Sequence, residues 1–207
     1  MMQPTNLWLI RHALVDENAR AILYGTMDVE LCPTTLVEQA PMYRALAESL
    51  PRPANWVVTP LSRTRRTAQA IFAAGYPAQE LTVEPGLIEQ HLGEWQGLVH
   101  AALPARLAQP KHPFWPLAGT ELPPGGETFV EMIARVGPAI EALAVRYAGQ
   151  DVVAVSHGGA IRAAVAHCLR IGADNALHLS VNNLSLTRLE RHDDGWRVVC
   201  VNEMPGY

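Results

Sequence analysis

Basic charge, paired cysteines and long apolar runs are all scarce in this chain. Its 207 residues carry 16 Lys and Arg against 20 Asp and Glu, a formal net charge of -4. No overall positive field is therefore available to recruit nucleic acid. No apolar run approaches the roughly 20 residues needed to cross a bilayer. The first residues carry no basic flank and no small-residue cleavage site, so no secretory signal is expected there. The three cysteines, Cys32, Cys168 and Cys200, form no C-x-x-C pair, which leaves zinc and dithiol chemistry without support. An odd, scattered set fits a reducing compartment, and cytoplasmic residence is expected. Cys168 and Cys200 read as inert core residues. Charged residues are sparse at 17%, and 49% of residues are hydrophobic. That is a globular profile, and the length suits one domain spanning 1–207.

Short apolar runs alternate with helical patterns along the chain. Residues 6–10, 55–59, 81–83 and 151–156 read as strands. Helices are expected over 34–49 despite Pro41, over 61–74, over 126–148 with Thr128 as a cap, and over 159–171. Asp193-Asp194-Gly195 marks a hairpin between 185–191 and 196–202. Repeated strand–helix units predict a three-layer α/β/α sandwich. Its central sheet should be mostly parallel, with an antiparallel edge from the C-terminal hairpin. Residues 98–125 are proline-rich and irregular, and they read as a lid or insertion beside the site.

Two of the strands stop at histidines: Leu7-Trp8-Leu9-Ile10-Arg11-His12, and Val152-Val153-Ala154-Val155-Ser156-His157-Gly158-Gly159. In open α/β sheets ligands bind beyond the carboxyl ends of the strands. Arg63 follows the 55–59 strand closely and is the functional candidate there, while Arg65 and Arg66 read as a solvated face. Glu89 lies in a loop with Gly93, Glu94 and Gly97; Glu94 should be exposed, and Glu89 sits where burial could raise its pKa. Gly158-Gly159 opens a helix, whose free N–H groups and positive dipole end suit a phosphate.

These elements together resemble the histidine phosphatase, or phosphoglycerate mutase-like, superfamily. Its Arg-His-Gly motif is matched by Arg11-His12-Ala13, and its Ser-Pro-Leu-x-Arg motif by Thr59-Pro60-Leu61-Ser62-Arg63. Thr67-Ala68 continues the second match on its helix. Leu87, Glu89, Gly93 and Gly97 match the glutamate loop. Gly126-Glu127-Thr128 and Ser156-His157-Gly158-Gly159 match the two later segments, and Asn18, Gly25, Asp28 and Leu31 fit an early loop pattern. The resemblance implies that His12 is a phosphoryl-accepting nucleophile and that Arg11 and Arg63 hold the phosphoryl oxygens. It further implies that a protonated His157 adds charge, with Gly158 at the phosphate. Glu89 would be the general acid and base, and Asn18 would touch phosphate or substrate. No cofactor or metal is implied. The substrate would be a small phosphorylated metabolite. A homodimer is compatible with this reading, whereas nucleic acid and membranes are not expected partners. Ala13 and Val15 depart from the family pattern, and the Ala13 methyl could crowd the phosphate.

Within that resemblance a phosphatase is favoured over a mutase. Between Glu89 and Gly126 the firm cations are Arg106 and Lys111, accompanied by Trp95, Phe114, Trp115, Leu98, Leu103 and Leu117. That composition suits a substrate with one phosphate and a less charged, ring-bearing body; equally, the aromatics could simply pack the lid. Three other readings compete. Ser156 could be the nucleophile of a serine hydrolase with Asp174 and His178 or His192. His12, His157, Asp28 and Glu89 could form a metal site, though no H-x-H or H-E-x-x-H spacing supports it. The same pocket could also bind a phospho-ligand without turnover.

Overall fold

A computed structural model describes residues 3–206. Its centre is one six-stranded sheet in the order β3-β2-β4-β1-β5-β6. The strands are β1 (Thr5–Arg11), β2 (Asn55–Val58), β3 (Leu81–Val83), β4 (Asp151–Ser156), β5 (Leu186–His192) and β6 (Gly195–Glu203). β1, β2, β3 and β4 pair in parallel, whereas β5 runs antiparallel to both β1 and β6. The hairpin thus supplies the antiparallel edge, with β6 outermost.

Side-chain alternation divides the sheet into two buried faces. Leu7, Leu9, Val152 and Ala154 pack with α5 (Phe129–Arg146), α6 (Gly158–Leu169) and α7 (Ala173–Leu177). Ile10, Val153 and Val155 pack on the other face with α3 (Ala40–Ser49) and α4 (Ser62–Ala73). β4 is buried on both faces, as a central parallel strand must be. The three layers expected from the sequence are therefore present.

Three local expectations change. The helix expected over 34–49 is two helices, α2 (Pro33–Glu38) and α3, joined at Gln39. Pro41 has no N–H and its ring opposes the carbonyl four residues back, so the chain restarts and places Pro41 in the first turn of α3. A short helix, α1 (Glu17–Arg20), interrupts the 13–33 loop, with Asp16 as its cap. α7 was not anticipated; its Asp174 Oδ1 accepts the Gly119 N–H at 2.8 Å and ties the 98–125 segment to this side of the fold.

The cap at Thr128 is as expected. Its hydroxyl accepts from the Glu131 N–H at 3.0 Å, and the Glu131 carboxylate accepts from the Thr128 N–H at 2.7 Å. A reciprocal cap of this kind is worth about 1 kcal/mol. Gly137 lets α5 lie against α6, because a Cβ there would meet the His167 ring. The 98–125 segment has its own small core, in which Leu103 and Leu117 pack with Leu23, Leu92 and Trp95. Glu121, 2% exposed, accepts the Ala108 and Gln109 N–H groups at 2.9 Å each and holds the segment's middle. Burial pushes the Cys168 thiol up to about 12 and the Cys200 thiol upward, in keeping with inert sulfurs. Among the described residues no helix is long and apolar enough to cross a membrane.

Candidate active site

β1 and β4 end level with each other: Arg11 pairs with Ser156, and the His12 N–H donates to the Ser156 carbonyl at 2.9 Å. This register brings the His12 and His157 rings to 5.2 Å between centroids, at 63°. His12 is 1% exposed. Its Nδ1 lies 2.7 Å from the Ala13 carbonyl, which can only accept, so Nδ1 carries the proton and Nε2 keeps its lone pair. Burial, then the charges of Arg63 and Arg11, hold the ring well below its ordinary pKa; the Ala13 hydrogen bond opposes them. His12 is neutral at neutral pH.

Arg63 is fully buried on the first turn of α4. Its guanidinium donates to the Met27 carbonyl at 2.6 Å, the Gly25 carbonyl at 2.8 Å and His157 Nδ1 at 3.3 Å. Since His157 Nδ1 accepts, its proton sits on Nε2, which donates to Thr59 Oγ1 at 2.9 Å. Burial and the nearby Arg63, together with His12, Arg11 and Arg135, drive the His157 pKa well below its ordinary value. These surroundings disfavour the protonated His157 that the resemblance implies. Three guanidiniums act on the ring, and among the described residues no carboxylate is hydrogen-bonded to it.

Arg11 donates through Nη1 to the Val181 carbonyl at 2.6 Å, while its buried Nε has no partner among the described residues. Glu89 is half-buried. Its Oε1 accepts the Gln90 N–H at 2.9 Å and its Oε2 the Gly159 N–H at 3.2 Å. The missing Cβ of Gly159 leaves room for this carboxylate, because a Cβ there would collide with Glu89 Oε1 and displace it. Arg11, Glu89 and Gly158 are among the residues lining a cavity of about 170 Å³, and the buried His12, Arg63 and His157 are not. Leu23, Tyr24, Leu92, Trp115 and Leu117 contribute its apolar lining. Phe114, by contrast, is 67% exposed. The aromatics of the irregular segment therefore divide: Trp95 packs, Trp115 lines the cavity, and Phe114 faces outward.

Asn18 does not line this cavity. It is exposed, its Nδ2 donates to Asp16 Oδ1 at 3.0 Å, and it borders a separate surface depression. Asp28 accepts the Ser62 N–H at 2.8 Å and its hydroxyl at 2.7 Å, so it anchors the start of α4. Among the described residues no group of three or more His, Cys, Asp or Glu side chains is placed to hold a metal ion. Ala13 is fully buried in the core beside Ile10, Val15 and Ala68, so its methyl does not crowd the cavity. Arg66 pairs with Glu30 on the surface, as a solvated face should.

The serine hydrolase arrangement is not assembled. The Ser156 hydroxyl is 1% exposed and donates to the Leu87 carbonyl at 2.8 Å. Asp174 serves Gly119, His178 stacks against His112, and His192 pairs with Glu190. None of the three meets Ser156.

Two arginines at the site escaped sequence reasoning. Arg135 on α5 donates to the Gly86 and Ile88 carbonyls at 2.9 and 3.2 Å and pairs with Glu127 at 2.6 Å, which fixes the loop carrying Glu89. Arg162 on α6 is 7% exposed, and its Cζ lies 4.5 Å from the Trp115 ring centroid. A lone charge inside the apolar run Gly158–Ala166 was the available signal for it.

The sequence profile of the histidine phosphatase superfamily (branch 1) matches residues 7–204. The chain belongs to this superfamily. Relatives within it carry phosphatase names. The glucosyl-3-phosphoglycerate phosphatase of Mycobacterium tuberculosis is 30% identical over 205 residues, covering 92% of this chain and 87% of that protein. The metal-independent phosphoserine phosphatase of Arabidopsis thaliana is 27% identical over 194 residues, covering 93% and 81%. A solved mycobacterial glucosyl-3-phosphoglycerate phosphatase superposes with a TM-score of 0.78 at 29% identity, over 96% of this chain and 98% of that one. The α/β sheet and its hairpin edge are the fold of this superfamily, and the chain is a phosphatase-type enzyme of it.

Proposed function

We propose that the protein is a metal-independent phosphomonoester hydrolase working through a phosphohistidine on His12, as a single catalytic domain with 98–125 as its lid. The observation that carries this reading is the neutral His12 ring, with Nδ1 pinned on Ala13 and its free Nε2 in the field of Arg11 and Arg63. A neutral imidazole attacks without first losing a proton. Nε2 forms a bond to phosphorus as the P–O ester bond breaks, and Glu89 in its acid form gives its proton to the departing oxygen. Glu89 then takes a proton from a water that attacks the phosphohistidine. The P–N bond breaks, and its electron pair returns to Nε2.

Arg11 and Arg63 stabilise the charge spread over the phosphoryl oxygens. A phosphoryl dianion also offsets the cations that depress His157, so this ring can take up a proton at Nδ1 as substrate binds, in exchange for the hydrogen bond that Nδ1 accepts from Arg63 Nε. The Gly158 end of α6 adds its backbone dipole. Side-chain cations thus supply the positive charge that phosphoryl transfer needs.

Hydrolysis is favoured over mutase transfer because Arg106 and Lys111 are both exposed and neither lines the cavity. The substrate is then a small phosphorylated metabolite of low further charge, and the cavity's volume, close to the roughly 150 Å³ that holds one benzene ring, suits a compact body. The relatives' named substrates, glucosyl-3-phosphoglycerate and phosphoserine, belong in the first panel tested. The three free cysteines are consistent with the cytoplasm as its place of action.

The deciding experiment traps the intermediate. Wild type quenched during turnover of a 32P-labelled monoester should retain acid-labile, base-stable label. His12→Ala should retain none and lose turnover by about 10,000-fold or more. Turnover that survives in His12→Ala sinks the mechanism. Phosphate binding with no hydrolysis by wild type returns the reading to a binding module.

A further inference from the structure

Two guanidiniums at this site, of Arg11 and Arg162, each keep one buried nitrogen that has no hydrogen-bond partner among the described residues, and both nitrogens lie beside the same place. The Cβ position that Gly158 lacks lies 3.0 Å from Arg162 Nη1 and 3.3 Å from Arg11 Nε. Among the described residues neither nitrogen has a hydrogen-bond partner, and neither arginine forms an ion pair with a carboxylate. A buried unmet donor costs about 1–3 kcal/mol, so placing two side by side with like charge needs a reason in function.

The remaining contacts of the pair supply a mechanical link. Arg162 Nε donates to the Leu179 carbonyl at 2.7 Å, and Arg11 Nη1 donates to the Val181 carbonyl at 2.6 Å. One short stretch, 179–181, is therefore held by both guanidiniums. On its other side Arg162 carries the Trp115 ring at 4.5 Å, a cation–π contact reaching from the 98–125 segment. Burial brings the Arg162 pKa down to about 10; Arg11 pushes the same way and Glu89 opposes them. Arg162 thus sits on the Arg11 and Glu89 side of the site.

We propose that Arg162 is a positioning residue: it fixes 179–181, and thereby the aim of Arg11, and it couples that aim to the seating of Trp115. An anion held by Arg11 beside Gly158 relieves the repulsion between the two guanidiniums. Closure of the segment over Arg162 and capture of the phosphoryl group then favour one another. The proposal rests on the reading of Arg11 as a phosphoryl ligand.

Inorganic phosphate is the probe, because its binding is read without turnover and without a leaving group in the cavity. Titration calorimetry gives its Kd for wild type, Arg162→Met, Arg162→Lys, Trp115→Leu and the Arg162→Met/Trp115→Leu double variant. Arg162→Met keeps the stem but not the donor, and its phosphate Kd should rise about tenfold, as for one misaimed charge-assisted bond. KM for p-nitrophenyl phosphate should rise in parallel, with kcat changed less. Arg162→Lys keeps a charge and a donor for Leu179, and should lie within about threefold of wild type. Trp115→Leu should raise the phosphate Kd about threefold, and the double variant should be no worse than Arg162→Met alone. A wild-type Kd in Arg162→Met, or losses that add in the double variant, overturns the proposal. If Arg162→Met does not fold, an unchanged phosphate Kd in Trp115→Leu overturns it. Failure of the phosphatase reading shows separately, as a wild type that binds phosphate but turns over no monoester.

Discussion

The candidate site has a phosphoryl end and an apolar end, and the two are built by different means. At the phosphoryl end, side chains leave the tips of β1 and β4, and Arg11 and Arg63 are aimed by the backbone carbonyls of Val181, Met27 and Gly25. At the far end, apolar side chains of the irregular 98–125 segment and of residues 22–24 form the walls. The first end is held by the sheet's hydrogen-bond ladder. The second is held by a small separate core and by the carboxylate of Glu121. The contrast assigns chemistry to the rigid scaffold and selectivity to the loop, the division expected when function rides on a fixed frame.

Substitutions can break or sharpen this contrast. At the phosphoryl end, Arg63→Met should lower kcat/KM by about 1,000-fold for every monoester alike, because the lost charge acts on the transferring group. A loss that varied strongly with the leaving group would blur the two ends. Glu89→Gln stands between them. It should cost about 100-fold with alkyl phosphates and under about tenfold with p-nitrophenyl phosphate, whose leaving group needs no proton. Equal losses for both would remove Glu89 as the acid. At the far end, Leu117→Ala should raise KM about tenfold for ring-bearing esters while leaving the Kd of inorganic phosphate unchanged, since the link to the phosphoryl end runs through Trp115 and Arg162; a matching change in phosphate affinity would extend that link to the whole apolar lining.

The smallest effect is on stability. His12 and His157 titrate well below the ordinary histidine value when folded, through burial and the charge of Arg63. The unfolded chain therefore binds more protons just below about pH 6.5. Their contribution to stability is complete above that pH and is lost as pH falls from there towards the folded values. Tm should drop between about pH 7 and pH 5.5, and His157→Asn should flatten the drop. Saturating phosphate should flatten it as well. A Tm profile identical in His157→Asn and wild type would remove this ring as a contributor.

The phosphoryl end was largely legible in the sequence and the far end was not. Arg11, His12, Arg63 and His157 stand at strand or helix ends and Glu89 in a loop with a fixed glycine spacing, where short apolar runs and motifs announce them. Arg135 and Arg162 sit within helices, and their use depends on carbonyls at residues 86–88 and 179 that no local pattern foretells. Asn18 fitted a motif but is spent on Asp16, a local hydrogen bond that short polar side chains form readily. The lowered pKa of His157 follows from burial and then from the summed charge of its neighbours, which only the folded arrangement assembles. The break at Gln39 was signalled by Pro41, yet the apolar spacing around it read as continuous.

The pairing of Arg11 with Ser156 at the centre of the sheet has a consequence for how the enzyme fails. Amide protons of β1 and β4 should be among the last to exchange with solvent, since they open only with the whole molecule. Those of 98–125 should exchange early, through local opening. Warming would then erode the choice of substrate well before it erased the ability to cleave phosphate, so a partly heated sample should become less selective rather than merely slower.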